Sequence, residues 1–238
     1  MLWFKAWRQT RARFLICLCG IAVLCLYGVY QDRPATHPDK PLGYYYSLVH
    51  GAYGGLTFLW LGAVNLLMMG GVLREKATGA ASFTMALPVS RGRLMGVRIA
   101  VGLMQAMALI VVPTVAVWLE VAVFGKPYPI SQVWFHFVLL TSGGSVIFAM
   151  ALLVSSLVEG EYTAPVVSFG IMFGSAFLLA DPRIQEYSPF QFMGGIAYFD
   201  FPTGLLVGPI PWLQAAFYLL LAGTLTAASV KAVNAREF

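Results

Sequence analysis

Arg74–Arg93, REKATGAASFTMALPVSRGR, is a charged island between two apolar runs, Phe58–Leu73 and Val101–Leu119, neither of which holds a charged residue. Lipid offers no water to solvate such charges, so a chain that crosses a membrane repeatedly has to bring the island out at a face. The island is more than a tether. It contains a short helix-like segment, Gly79–Leu87, stopped by Pro88. A cytosolic surface gripped by another molecule is the expectation for these residues.

Working outward, the rest of the chain is equally unlike a soluble domain. Of its 238 residues 59% are hydrophobic and 11% charged, whereas soluble chains carry about 45–50% apolar and about 25% charged residues. Charge-free runs near the ~20 residues needed to cross a bilayer recur throughout. They predict an all-α polytopic membrane protein with six spans: Phe14–Tyr30, Ala52–Leu73, Gly96–Leu119, Val133–Leu157, Tyr162–Ala180 and Trp212–Val230. Each span must be a helix, because the hydrocarbon leaves every backbone group to be satisfied internally. Little chain remains for a soluble catalytic domain, so residues 1–238 read as a single membrane domain.

The Lys and Arg residues predict the orientation. With a cytosolic N-terminus, eleven fall inside (Lys5, Arg8, Arg11, Arg13, Arg74, Lys76, Arg91, Arg93, Arg98, Lys231, Arg236) and four outside (Arg33, Lys40, Lys126, Arg183). Both termini and the 74–93 loop are therefore expected in the cytosol. The net charge of +5 reads as a topology signal, with the basic residues that border helices anchored to anionic membrane lipid. No basic cluster sits on a sizeable soluble surface, which argues against a nucleic-acid partner.

At the N-terminus, Trp3, Phe4 and Trp7 alternate with Lys5, Arg8 and Arg11 as in an interfacial helix. No cleavage pattern follows the first apolar run, so it reads as a retained span rather than a signal peptide. Cys17, Cys19 and Cys25 all lie in that span. Cys17 and Cys19 point to different helix faces at about 100° per residue and read as packing residues. Tyr44, Tyr45, Tyr46 and Tyr53 are expected to form an aromatic belt where the second span enters. Pro113 is expected to kink the third span. Between Asp181 and Pro211 the chain is apolar and aromatic, yet Pro and Gly divide it into pieces too short to span. Short helices at the outer leaflet are expected there, one starting at Ser188-Pro189 as N-cap and first helical position.

The sequence holds no G-x-x-x-x-G-K-[ST] phosphate loop and no H-E-x-x-H. No His follows Ser145 on a later span to serve Gly143-Gly144-Ser145 as a base. Neither a catalytic residue nor a metal or cofactor ligand is assigned. The span interiors hold essentially no ionisable residue, the default mark of a proton or ion route, so the energy for any transport is expected from outside the chain. Asn65, Gln105, Thr57, Thr114 and Ser145 are the polar candidates for a pathway, with helix–helix hydrogen bonding as their other role.

The island itself has internal logic. Gly79 permits a turn, Ala80, Phe83 and Leu87 share one helical face, Pro88 ends the helix, and Ser90 can cap the next one. A two-turn helix is not stable alone, so it must pack on something, whether this chain's own helix ends or a partner.

These features together resemble the permease subunits of type-2 ATP-binding-cassette (ABC) exporters. The likeness covers the whole chain: a basic start with Trp3 and Trp7, six spans, a loop after the second, and Ser188-Pro189-Phe190 before the last. Its most specific piece is Arg74-Glu75-Lys76-x-x-Gly79, followed by Phe83 and by Leu87-Pro88-Val89-Ser90-Arg91, which looks like that family's coupling helix. Gly79–Leu87 departs from the Gly-Thr start and Leu-rich helix of many members. The resemblance implies that Glu75, Gly79, Ala80, Phe83, Leu87, Pro88 and Arg91 couple to a separate cytosolic ATPase chain. It also implies a second permease chain, identical or related, no ATP hydrolysis by this chain, and residence in the plasma (inner) membrane. A non-transporting assembly or anchoring subunit that docks a cytosolic partner through the same loop is the other reading.

Overall fold

The computed structural model describes residues 2–31, 48–68, 91–123, 128–158, 163–200 and 205–235. Five of its helices are long and apolar enough to cross a membrane, among the described residues. They are α1 (Leu2–Gln31), α2 (Gly54–Met68, entered through a π-helical turn, Leu48–Tyr53), α3 (Arg91–Val123), α4 (Ile130–Leu157) and α7 (Trp212–Asn234). The expected fifth span is α5, Thr163–Leu178. At 16 residues it is about 24 Å long, short of the ~30 Å hydrocarbon core.

One expectation about helix limits changes. The basic start is continuous with the first span: α1 runs unbroken for 30 residues, about 45 Å, which matches a bilayer with its headgroups. No Pro and no Gly interrupts residues 2–19, so nothing in the backbone separates an interfacial helix from a spanning one. α3 keeps Pro113 inside one continuous element, since losing one amide donor does not end a 33-residue helix held by its neighbours.

α4 forms the centre, touching α2, α3, α5 and α7. Its buried residues occur all round the helix, with Leu139, Ile147 and Leu152 fully enclosed, because a helix surrounded by others has no single apolar face. Its glycines set the contact distances. A Cβ on Gly144 would stand 2.6 and 2.8 Å from the Trp60 ring of α2, and one on Gly143 would stand 2.6 Å from Met193 Cγ. Trp60 is locked from its other edge, where Nε1 donates to the Ala106 carbonyl of α3 at 2.9 Å.

α1 lies parallel to α3. Leu2, Lys5, Ala6 and Gln9 meet Leu94, Val97 and Arg98 at one end, and the last turns of α1 reach the entry to α2, where Cys25 Sγ donates to the Ala52 carbonyl. α7 runs parallel to α4, packing Ala215, Tyr218 and Ala222 against Phe135, Val138, Val146 and Ala149. Outward surfaces stay apolar, as on α7 at Leu213, Phe217 and Leu220 and on α5 at Val166, Phe177 and Leu178.

Between α5 and α7 the chain folds over the first half of α4. A 3-10 turn (Gln185–Tyr187) leads into α6 (Pro189–Gly194), then a second 3-10 turn (Ile196–Tyr198). Ser188 and Pro189 take the expected N-cap and first-turn positions, although the Ser188 side chain makes no capping bond. Gly195 closes α6 in the left-handed region at φ 67°, where a β-carbon is strained; its N–H reaches the Phe192 carbonyl. The all-α expectation needs one correction: β1 (Phe199–Asp200) pairs antiparallel with β2 (Leu205–Leu206). Gln132 of α4 completes this ladder. Its Oε1 accepts the Leu206 N–H at 2.8 Å and its Nε2 donates to the Leu206 carbonyl at 2.9 Å, as a neighbouring strand would.

Candidate functional site

The two ends of the bundle differ in chemistry. At one end lie the starts of α1 and α3 and the finish of α7, carrying Lys5, Arg8, Arg11, Arg13, Arg93, Arg98 and Lys231. α2 finishes there too, since the Met68 terminal methyl stands 2.8 Å from where a Cβ on Gly102 would be. The residues between α2 and α3 are thus bracketed by two helix ends at the basic face. Of the expected coupling residues, Glu75, Gly79, Ala80, Phe83, Leu87 and Pro88 lie outside the described residues; Arg91 opens α3.

The opposite end is aromatic and carries the four described acidic residues, Glu120, Asp181, Glu186 and Asp200, with Arg183 as its described cation. Tyr53 is buried rather than part of a belt. Its ring stacks on His136 with centroids 4.2 Å apart and planes 4° apart, and on Tyr128 at 6.1 Å. Trp118 Nε1 donates to the Tyr128 carbonyl at 3.3 Å. The Tyr53 hydroxyl is enclosed without a hydrogen-bond partner among the described residues. Nearby, Gln214 Oε1 accepts from the Tyr198 hydroxyl at 2.9 Å, and its Nε2 donates to the Glu186 carbonyl at 2.8 Å. That clamp ties the 185–198 segment to the start of α7. Burial pushes the Tyr198 phenol above its ordinary pKa.

The expected pathway residues do not converge. Asn65 is 1% exposed on α2. Its Nδ2 donates to the Leu61 carbonyl at 2.8 Å and to Met172 Sδ at 3.6 Å, and its Oδ1 accepts from the Ser168 hydroxyl, joining α2 to α5. Gln105, also buried, donates from Nε2 to Thr10 Oγ1 at 2.7 Å and joins α3 to α1; its Oε1 is buried without a hydrogen bond. Ser145 donates to the Ser142 carbonyl at 2.6 Å and Thr57 to the Tyr53 carbonyl at 2.9 Å, each within its own helix. Thr114 is buried on α3 one residue past Pro113. Asn65 and Gln105 fasten helices together, and among the described residues of one chain the five candidates line no common route.

Sequence reasoning missed Trp60, Gln132, Gln214 and the Tyr53–His136 stack. A hairpin signal was available for the strand pair, since Pro202-Thr203-Gly204 separates two short apolar runs. Nothing local marks the others, because their partners lie 16 to 83 residues away. No protein-family model matches the chain, and no curated protein matches it.

Proposed function

We propose that the chain is the membrane-spanning permease subunit of an ATP-driven ABC exporter, with α5 as a short sixth span. It sits in the plasma (inner) membrane with the basic end and both termini in the cytosol. A cytosolic ATPase chain grips residues 74–93, and two permease chains enclose the pathway. ATP-driven closure of the ATPases then rocks the spans between inward and outward access.

The observation that carries this reading is the bracketing of residues 69–90 by the ends of α2 and α3 at the basic face. The sequence of that segment carries apolar Phe83 and Leu87 at the spacing of one helical face, which suits it to docking a soluble partner. The absence of a polar route among the described residues of one chain is consistent with a pathway between two.

The same absence favours the second reading, a non-transporting anchor that docks a cytosolic partner through the loop. One variant addresses both. In Phe83→Ala/Leu87→Ala each lost anchor removes up to about 1.5–3 kcal/mol of apolar burial. Membrane levels should stay normal while ATPase association and transport are lost. Transport and ATPase binding at wild-type levels would remove the coupling assignment, and lost ATPase binding in a complex with no transport to lose would favour the anchor.

A further inference from the structure

Along the outward side of α1 the exposed surface changes character within one helical turn. Phe4, Arg8, Arg11 and Leu15 follow at i, i+4, i+7 and i+11 and share a face, and all four are exposed. From Leu15 onward the large exposed side chains are Ile16, Val23, Leu24, Tyr27 and Tyr30, a lipid-facing strip. Leu15 therefore marks the edge of the hydrocarbon. Arg11 stands about 6 Å and Arg8 about 10 Å from that edge along the axis. The headgroup layer is about 5–8 Å thick on each side of the core, so Arg11 stands within it and Arg8 about 2–5 Å beyond its outer edge, a gap that a long flexible side chain spans. This follows from the continuity of α1; an interfacial helix lying flat would spread the same residues sideways at one depth.

The surroundings select an anion. Phe4, Lys5, Arg8 and Gln9 line an open groove of about 700 Å³. The neighbouring start of α3 adds Arg93 and Arg98. Trp3 and Trp7, both exposed, interleave with the cations as interfacial anchors do. An acidic protein surface would satisfy the charge but not this aromatic interleaving or the fixed depth beside a lipid-facing strip.

We infer that the first three turns of α1 form a headgroup site for an acidic phospholipid, with Arg8 and Arg11 as its phosphate-binding cations. The inference does not depend on the transport reading. The full chain is reconstituted in vesicles of equal parts phosphatidylglycerol and phosphatidylcholine, extracted in mild detergent, and its retained lipid is quantified. Wild type should hold phosphatidylglycerol several-fold above its bilayer share, an enrichment that falls in high salt. Each arginine contributes up to about five-fold, so Arg8→Gln/Arg11→Gln should return the ratio to that of the bilayer with helical content unchanged. Arg8→Lys/Arg11→Lys, which keeps both charges, should retain most of the enrichment, and Arg183→Gln at the other end should leave it untouched. An unenriched wild type overturns the site. So does an undiminished ratio in the double Gln variant, and if that variant instead loses ATPase binding, the cations belong to a protein contact.

Discussion

Gly144 on α4 and Gly170 on α5 are both glycines in long apolar runs, and the fold treats them oppositely. A Cβ at Gly144 meets the Trp60 ring at 2.6 and 2.8 Å, while among the described residues nothing stands within 4 Å of one at Gly170, nor of one at Gly174 a turn later. The α4 helix is enclosed by neighbours. α5 touches the bundle along one narrow stripe, Ala164, Pro165, Ser168 and Met172. Small residues in membrane helices permit close approach, but only where a second helix arrives. The difference shows that α4 is the organising element of the chain and α5 a peripheral one.

The largest break in this comparison should come from Gly144→Leu. The Trp60 ring cannot retreat, because its Nε1 is bonded to Ala106 and its far side is packed. Overpacking a filled core costs about 1–3 kcal/mol even for modest additions, and a whole isobutyl group exceeds that. The expected outcome is near-complete loss of folded protein in the membrane fraction, with Gly144→Ala expressed but lower-melting in detergent. A Gly144→Leu protein with wild-type level and melting temperature would mean that α2 and α4 are not packed as described.

A smaller effect is expected where α5 is fastened. Asn65→Ala removes the contacts to Ser168 and Met172 together with the bond to the Leu61 carbonyl. Interhelical polar contacts in membranes average about 0.6 kcal/mol and reach about 1.7. A modest fall in melting temperature should result, and Ser168→Ala should add little on top of it, because both changes break the same contact. Full additivity in this double-mutant cycle would show that the two residues act separately.

The smallest effect sharpens the contrast. Gly170→Ala and Gly174→Ala add a methyl group to open surface, and thermal stability of the isolated chain should stay within about 0.5 kcal/mol. If cross-linked or native-gel dimers of the chain decline in these variants at unchanged melting temperature, a second copy covers this face of α5. A large drop in stability of the monomer would refute the peripheral position of the helix.

How much of this was legible in advance differs by level. The spans expected from 52, 133, 162 and 212 overlap helices that begin within a few residues of those positions, because hydropathy and chain continuity act locally, whereas the first and third helices begin earlier, at Leu2 and Arg91; the Ser188-Pro189 start of α6 was readable from turn chemistry. The count of long apolar helices differs by one, since Thr163–Leu178 has 16 residues, against 18 for Gly51–Met68 when its π-helical entry is included. Tyr53 was misjudged because an aromatic at a span entry satisfies a membrane interface and a buried stack equally well; the choice depended on where His136 arrived. Asn65 and Gln105 were recognised as polar residues in apolar helices, but their partners on α5 and α1 were not readable from any local pattern.

Residue types and their order were enough to establish an apolar helical chain, the approximate start of most of its helices, and a basic set of helix ends opposed by an aromatic set. Those properties come from solvation, which acts on each segment separately. Which glycine is enclosed, which polar side chain finds a partner, and whether α1 stands upright as one helix came from the arrangement of neighbours. Close packing is a property of two surfaces at once, and a single segment of sequence carries only one of them.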